Sequence, residues 1–220
     1  RKAAAEKISN PEILEKVALN DKDSDVRKIA IEKIAGEDVL KKVALEDGDY
    51  VLRTIAANKI SRQEILEKIA LDAEYSSVRE IAIKKITSDE VLKNVFLQEK
   101  DSYPRVMALE KINSPEILEE IAKNPDIQLG SAAAFRLAKL GDQRAIEYLI
   151  LALGARSPLE KATEYYYSSI RTDAARALQE LLKKYPELDT AVMGKRIARA
   201  TYGQYTDHVD HSDCSWECRD

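Results

Sequence analysis

Residues that could bind a metal ion are concentrated near the C-terminal end of the chain. Both histidines and both cysteines of the protein fall in one stretch, with the spacing His-x2-His-x2-Cys-x3-Cys. Two imidazoles and two thiolates form a complete tetrahedral ligand set for zinc, and a closed set of four leaves no open position for catalysis. The sequence therefore predicts a candidate zinc site at His208, His211, Cys214 and Cys218.

Other interpretations of this stretch stay open, because its spacing matches no standard zinc finger. One alternative is a disulfide between Cys214 and Cys218. The others are a disordered polar tail and a set of residues that share no role.

No catalytic site is predicted in the rest of the chain. It contains no histidine, the commonest general base near neutral pH. It also lacks a Ser-His-Asp set, a phosphate-binding loop and a dinucleotide fingerprint. We therefore predict no catalytic residues and no required cofactor, with zinc in the tail as the one candidate.

An internal repeat of 26 residues determines the elements that precede this tail. Each unit contains two short apolar patterns with helical spacing, separated by a polar turn. Helices of about 8–10 residues are too short to be stable alone in water, so each must pack on its neighbours. Such internal repeats predict an all-α solenoid of stacked helical hairpins. The isoleucines that mark the repeat are Ile8, Ile34, Ile60, Ile86 and Ile112.

The repeat pattern divides the chain into three predicted segments. Residues 1–137 hold the regular repeats, 138–200 hold longer, irregular repeats and a capping helix, and 201–220 form the His/Cys/Asp-rich tail. Because Arg1 lies one period before Arg27, the sequence starts in mid-repeat. The half unit is either a cap of the array or the end of a repeat whose first part precedes it.

Equivalent lysines recur near the end of the second helix of each unit. They would stack into a basic column, suited either to phosphate groups or an acidic partner, or to the negative end of a helix dipole. We favour the dipole, because the net charge is −4 and no aromatic residues interleave the lysines. The column consists of Lys7, Lys33, Lys59, Lys85 and Lys111.

The turn between the two helices carries a D-x-x-V-R pattern and resembles that of HEAT-like repeats, including the short bacterial kind found in phycobilisome lyases and the related leucine-rich-repeat-variant units. The resemblance covers roughly residues 1–184, strongly to about 112, and Tyr75 and Gly130 depart from the pattern. It implies a right-handed α-solenoid (superhelix) of two-helix repeats, with a structural ladder of hydrogen bonds between repeats. The implied ladder residues are Asp23, Arg27, Asp49, Arg53, Arg79, Asp101 and Arg105.

Together these features favour a protein–protein interaction scaffold without catalytic activity, whose partner is another protein. The alternatives implied by the resemblance are a nucleic-acid-binding protein like some DNA glycosylases, and a lyase or chaperone for a cofactor-bearing partner. A negative net charge and a pI of about 5.5 make nucleic acid an unfavourable partner. With no apolar run of about 20 residues and no secretory signal, the sequence predicts a cytoplasmic protein without a membrane partner.

Overall fold

The structure is a computed structural model that describes residues 1–154, 161–186 and 195–196, without the side chains of 161–167. Every regular element in these ranges is an α-helix. The chain contacts divide into two compact units, residues 1–113 and residues 114–220. The helices of the first unit are α1 (Lys2–Lys7), α2 (Pro11–Asn20), α3 (Ser24–Lys33), α4 (Glu37–Glu46), α5 (Tyr50–Lys59), α6 (Gln63–Asp72), α7 (Ser76–Lys85), α8 (Asp89–Gln98) and α9 (Ser102–Lys111).

The starts of the helices follow local sequence signals. At the start of α2, the Asn10 side chain accepts a hydrogen bond from the backbone N–H of Ile13, and Pro11 occupies the first turn. Asn10 is thus the N-cap of α2, since its side-chain oxygen satisfies a donor that has no partner within the helix. Ser88 caps α8 in the same way, whereas Gly36 at α4 provides no side-chain cap.

The first unit has two layers of helices around one core. The even-numbered helices form one layer, the odd-numbered helices form the other, and each helix packs on its hairpin partner and on its equivalent in the next hairpin. Each repeat buries a leucine of its first helix and, from Ile34 onward, the marker isoleucine that follows its second helix. The buried leucines are Leu14, Leu40, Leu66 and Leu92.

One residue of the predicted apolar face is exposed. Ile13 retains 48% of its surface, whereas Ile65, at the equivalent position two repeats later, retains 4%. The difference follows from position, because α6 packs between α4 and α8 while α2 packs on α4 alone within its layer.

The second unit continues the helical hairpins with longer elements. It contains α10 (Pro115–Ala122), α11 (Ile127–Leu140), α12 (Ala145–Leu153) and α13 (Lys161–Lys184). The predicted change of repeat type at residue 137 falls within α11. Gly130 lies where a Cβ atom would be only 3.0 Å from the Ala122 carbonyl oxygen, so glycine permits the close approach of α11 to the end of α10.

These observations confirm the all-α, stacked-hairpin fold class, seen most regularly in the first unit. The right-handed sense of the superhelix stays a prediction. No helix in the described part of the chain combines the length and the apolar character that crossing a bilayer requires.

Candidate interaction surface

A row of arginines connects successive repeats in the first unit. Arg27 donates from Nε and Nη2 to the two carboxylate oxygens of Asp47 in the next repeat, each at 2.9 Å, and from Nη1 to the Asp21 carbonyl oxygen in its own repeat at 2.9 Å. Arg79 repeats this arrangement, with Glu99 as the acid and Ala73 as the carbonyl, at 2.9 and 2.7 Å. The paired carboxylate raises the pKa of Arg27. The Arg27–Asp47 pair is bidentate, which fixes geometry as well as energy. Arg79 instead makes one bond to Glu99 and a second to Asp101.

The acids bound by these arginines differ from those assigned by resemblance. Asp23 and Asp49 accept hydrogen bonds from the backbone N–H groups of Asp25 and Val51, so they cap α3 and α5. The arginine partners lie two residues earlier in each turn, at Asp47 and Glu99. Asp101 is the exception among the assigned acids, because its carboxylate accepts a hydrogen bond from Arg79. Arg105 donates to the Glu99 carbonyl oxygen at 2.9 Å.

The lysine column also binds the protein itself. Four of its five members reach back one repeat and donate to a carbonyl oxygen in the last turn of the preceding second helix. Carbonyls in a last turn have no partner within their own helix, so these lysines cap them. Burial lowers the pKa of Lys111. The bonds from Nζ to carbonyl oxygen are Lys33–Glu6 at 2.7 Å, Lys59–Glu32 at 2.5 Å, Lys85–Asn58 at 2.6 Å and Lys111–Lys84 at 2.6 Å.

We expect Lys85→Met to lower the free energy of unfolding by about 1 kcal/mol, because the Asn58 carbonyl loses its donor. Urea titration followed by circular dichroism measures the change. The control is Lys68→Met, which removes the same charge from an exposed position on α6 and should change stability by less than about 0.5 kcal/mol. Equal effects of the two variants would contradict a capping role for Lys85.

A third set of bonds joins the first residues of α4, α6 and α8 to the following repeat. The Glu37 carboxylate accepts from the backbone N–H groups of Ser61 and Arg62 at 3.1 and 2.9 Å, and from the Ser61 hydroxyl at 2.6 Å. The hydroxyl and these N–H groups lower the pKa of Glu37. Gln63 and Asp89 make the equivalent bonds to the N–H groups of residues 87 and 113, at 2.8 and 3.1 Å. The periodic polar residues are therefore largely used in holding the repeats together.

Exposed aromatic residues remain at one edge of the first unit. We call this the turn edge, meaning the turns between the two helices of each repeat, at residues 21–25, 46–50, 72–77 and 98–103. Tyr50, Tyr75 and Tyr103 lie on it with 44%, 39% and 64% of their surface exposed. The rings of Tyr50 and Tyr75 meet edge to face, with centroids 5.4 Å apart.

The Tyr50–Tyr75 pair lies where the arginine ladder is altered. At the position of Asp47 and Glu99 the third repeat has Ala73, so Arg53 has no ladder acid. Arg53 Nε donates to the Asp47 carbonyl oxygen, and its guanidinium carbon lies 5.0 Å from the centre of the Tyr75 ring. Its Nη1 is 3.0 Å from a Glu74 carboxylate oxygen but outside hydrogen-bonding geometry. The ring and Glu74 thus replace the missing carboxylate.

In the second unit, polar groups gather around Arg144. Its guanidinium lies 2.8 Å from Asp142, 3.2 Å from Glu116 and 3.3 Å from Glu119. These acids raise the pKa of Arg144, and Arg144 lowers the pKa of Asp142. Because Arg144 is surrounded by carboxylates, this cluster does not present it as an unpaired cation to an anionic ligand.

An open cleft of about 450 Å³ adjoins this cluster and is bordered by Gly141 and Tyr185. Gly141 ends α11 in the left-handed conformation, with φ of 72°. Its carbonyl oxygen accepts from Lys184 Nζ at 2.9 Å and from the Tyr185 hydroxyl at 2.5 Å. These polar groups join α13 to the α11–α12 turn and do not form an acid–base pair.

The candidate zinc ligands His208, His211, Cys214 and Cys218 lie outside the described residues. Within the described residues, no group of three or more His, Cys, Asp or Glu side chains could hold a metal ion. The zinc site stays a prediction, which elemental analysis combined with thiol titration would test.

Fold and surface together define a protein of tandem α-helical repeats. The family model described as PBS lyase HEAT-like repeat matches residues 131–154, which cover most of α11 and all of α12. The chain thus contains HEAT-like repeat sequence, as the turn motifs indicated, although this match lies beyond the segment where the resemblance is strongest. A comparison with curated proteins gives no match.

Proposed function

We propose that this protein is a protein–protein interaction module that holds its partner on the surface of its HEAT-like repeats and has no catalytic activity of its own. The observation that carries the proposal is the division of roles in the first unit. Its periodic arginines, lysines and acids bind neighbouring repeats, while tyrosines remain exposed along the turn edge. Exposed tyrosine is enriched at interfaces because its ring is apolar and its hydroxyl is polar.

Nucleic-acid binding is less well supported than protein binding. The lysine column was its basis, and four of those lysines donate to backbone carbonyls. Lysines whose ammonium groups already bind carbonyl oxygens form a poor binding surface for the phosphates of a nucleic acid.

A lyase or chaperone role for a cofactor-bearing partner has one point in its favour, the description of the family model that matches residues 131–154.

Site-specific photo-crosslinking in the source cells tests the proposal. A photoreactive phenylalanine analogue at Tyr103 should yield a discrete crosslinked protein, because this position is the most exposed tyrosine of the turn edge. The same analogue at Glu64, which is exposed near the start of α6, should yield little. If neither position gives an adduct, or if both give the same adducts, the turn edge is not a specific binding surface and the proposal fails.

A further inference from the structure

We propose that the turn edge, centred on Tyr50 and Tyr75, binds an arginine- and lysine-rich segment of a partner protein. This inference rests on the interaction function proposed above and adds the chemistry of the partner. It combines the charge of the turn edge, the availability of aromatic rings, and departures from the repeat pattern that coincide at one place.

The turn edge carries exposed negative charge. Its four turns contain ten acidic residues and two lysines, and five of the acids and both lysines are exposed. Other acids of the turns do not add to this surface charge, because Asp47 and Glu99 are only 6% and 2% exposed and are paired with ladder arginines. In contrast, the side chains of Glu74 and Asp101 are 67% and 57% exposed. A cationic segment is therefore the complementary partner, and an acidic one would meet like charge.

The tyrosine rings offer a second way to bind cations. A guanidinium or ammonium group is attracted to the face of an aromatic ring within about 6 Å of its centre. Within the protein, Arg53 already uses the Tyr75 ring in this way, at 5.0 Å. Tyr50 contacts Tyr75 edge to face, so the pair forms one aromatic surface, and the exposed Glu74 carboxylate lies beside Arg53 at this surface.

The repeats serve as an internal comparison for this location. Where the third repeat has Ala73, the others have Asp21, Asp47 and Glu99, and where it has Tyr75, the others have an aspartate. Tyr50 occupies a position that is serine in every other repeat of the first unit. Tyr50 and Tyr75 contact each other, Arg53 contacts Tyr75, and Ala73 stands at the position of the acid that Arg53 lacks. Packing around Arg53 accounts for Tyr75, but it does not account for a tyrosine at position 50 that keeps 44% of its surface exposed.

The test measures fluorescence anisotropy of a labelled twelve-residue peptide of alternating arginine and serine, titrated with the full-length protein. We expect saturable binding that weakens with salt. The lysine analogue should bind more weakly, because guanidinium stacks better on aromatic rings. The glutamate analogue should not bind.

Two variants separate the aromatic contribution from general attraction to an acidic protein. Tyr50→Ala leaves the net charge unchanged and should weaken binding about three- to fivefold. Tyr50→Leu keeps an apolar side chain and should weaken binding to a similar extent. Glu74→Gln should weaken binding about twofold, whereas Glu64→Gln, an equal charge change away from the turn edge, should leave it unchanged. Thermal unfolding checks that each variant is folded.

Two results would overturn the inference. One is binding of the arginine peptide to both Tyr50 variants with wild-type affinity, and the other is comparable binding of the glutamate peptide. Photo-crosslinking repeated in a lysate of the source cells with excess arginine peptide separates this failure from failure of the proposed function. An adduct at Tyr103 that persists despite the peptide means that the protein binds a partner of different chemistry. Absence of both the adduct and peptide binding means that both proposals fail.

Discussion

Replacement of Arg79 by methionine is expected to lower the free energy of unfolding by about 3 kcal/mol, the low end of the cost of breaking a buried ion pair. Arg79 and Glu99 keep only 8% and 2% of their side-chain surface exposed. Without Arg79, the Glu99 carboxylate retains hydrogen bonds from the backbone N–H groups of Lys100 and Asp101 but loses its opposite charge. The carbonyl oxygen of Ala73 loses a donor as well.

Urea titration of wild type and variant, followed by circular dichroism, measures this effect. Arg62→Met is the matched control, because Arg62 is half exposed and pairs with Asp38 at 3.1 Å, so its loss should cost less than about 1 kcal/mol. Adding Glu99→Gln to Arg79→Met removes the unpaired charge and should recover part of the loss. If Arg79→Met is no more destabilising than Arg62→Met, the ladder contributes little to the fold.

Leu66→Ala is expected to cost about 2–5 kcal/mol, the range for removing a buried leucine from a well-packed core. Leu66 is fully buried in α6, which packs between α4 and α8 within its layer. Each hairpin contacts only its neighbours, so a cavity here weakens packing to both sides at once.

Leu97→Ala provides the comparison for Leu66→Ala, because Leu97 lies in α8 and is 37% exposed. Its truncation should cost no more than about 1 kcal/mol, since the partly exposed Leu97 side chain removes less apolar surface from water on folding than Leu66 does. Thermal and urea unfolding of both variants give the two values under the same conditions. Similar losses would indicate that the core of the first unit can collapse around the missing side chain.

The sequence predicts the architecture well because architecture depends on periodic burial. The 26-residue interval places the same apolar residues on the same faces in every unit, and the buried positions of Leu40, Leu66 and Leu92 follow from that regularity. The N-caps at Asn10 and Ser88 can also be predicted from the sequence, since capping is a local interaction of a few residues.

The partners within the ladder could not be chosen from the sequence in the same way. The first turn has three aspartates at alternate positions and the second has two, and only the turn geometry decides which carboxylate faces an arginine. In the sequence, one feature pointed to the exposed pair of Tyr50 and Tyr75, namely that Tyr75 stands where the repeat pattern has aspartate. A comparison of every column for departures would also have found Ala73 and Tyr50. Their contact depends on stacking between repeats, which no single unit encodes.

The bonds between repeats have a consequence for how this chain can change in length. Each of the three sets contains bonds that join one repeat to the next at equivalent positions. After loss of one complete repeat, the donors of one repeat again face the equivalent acceptors of the repeat that becomes its neighbour. Loss of part of a repeat misaligns the bonds of all three sets. Removing residues 60–85 would even place Arg53 twenty residues before Glu99, the spacing that joins Arg79 to Glu99 today. The array is thus built to grow and shrink by duplication and deletion of whole units.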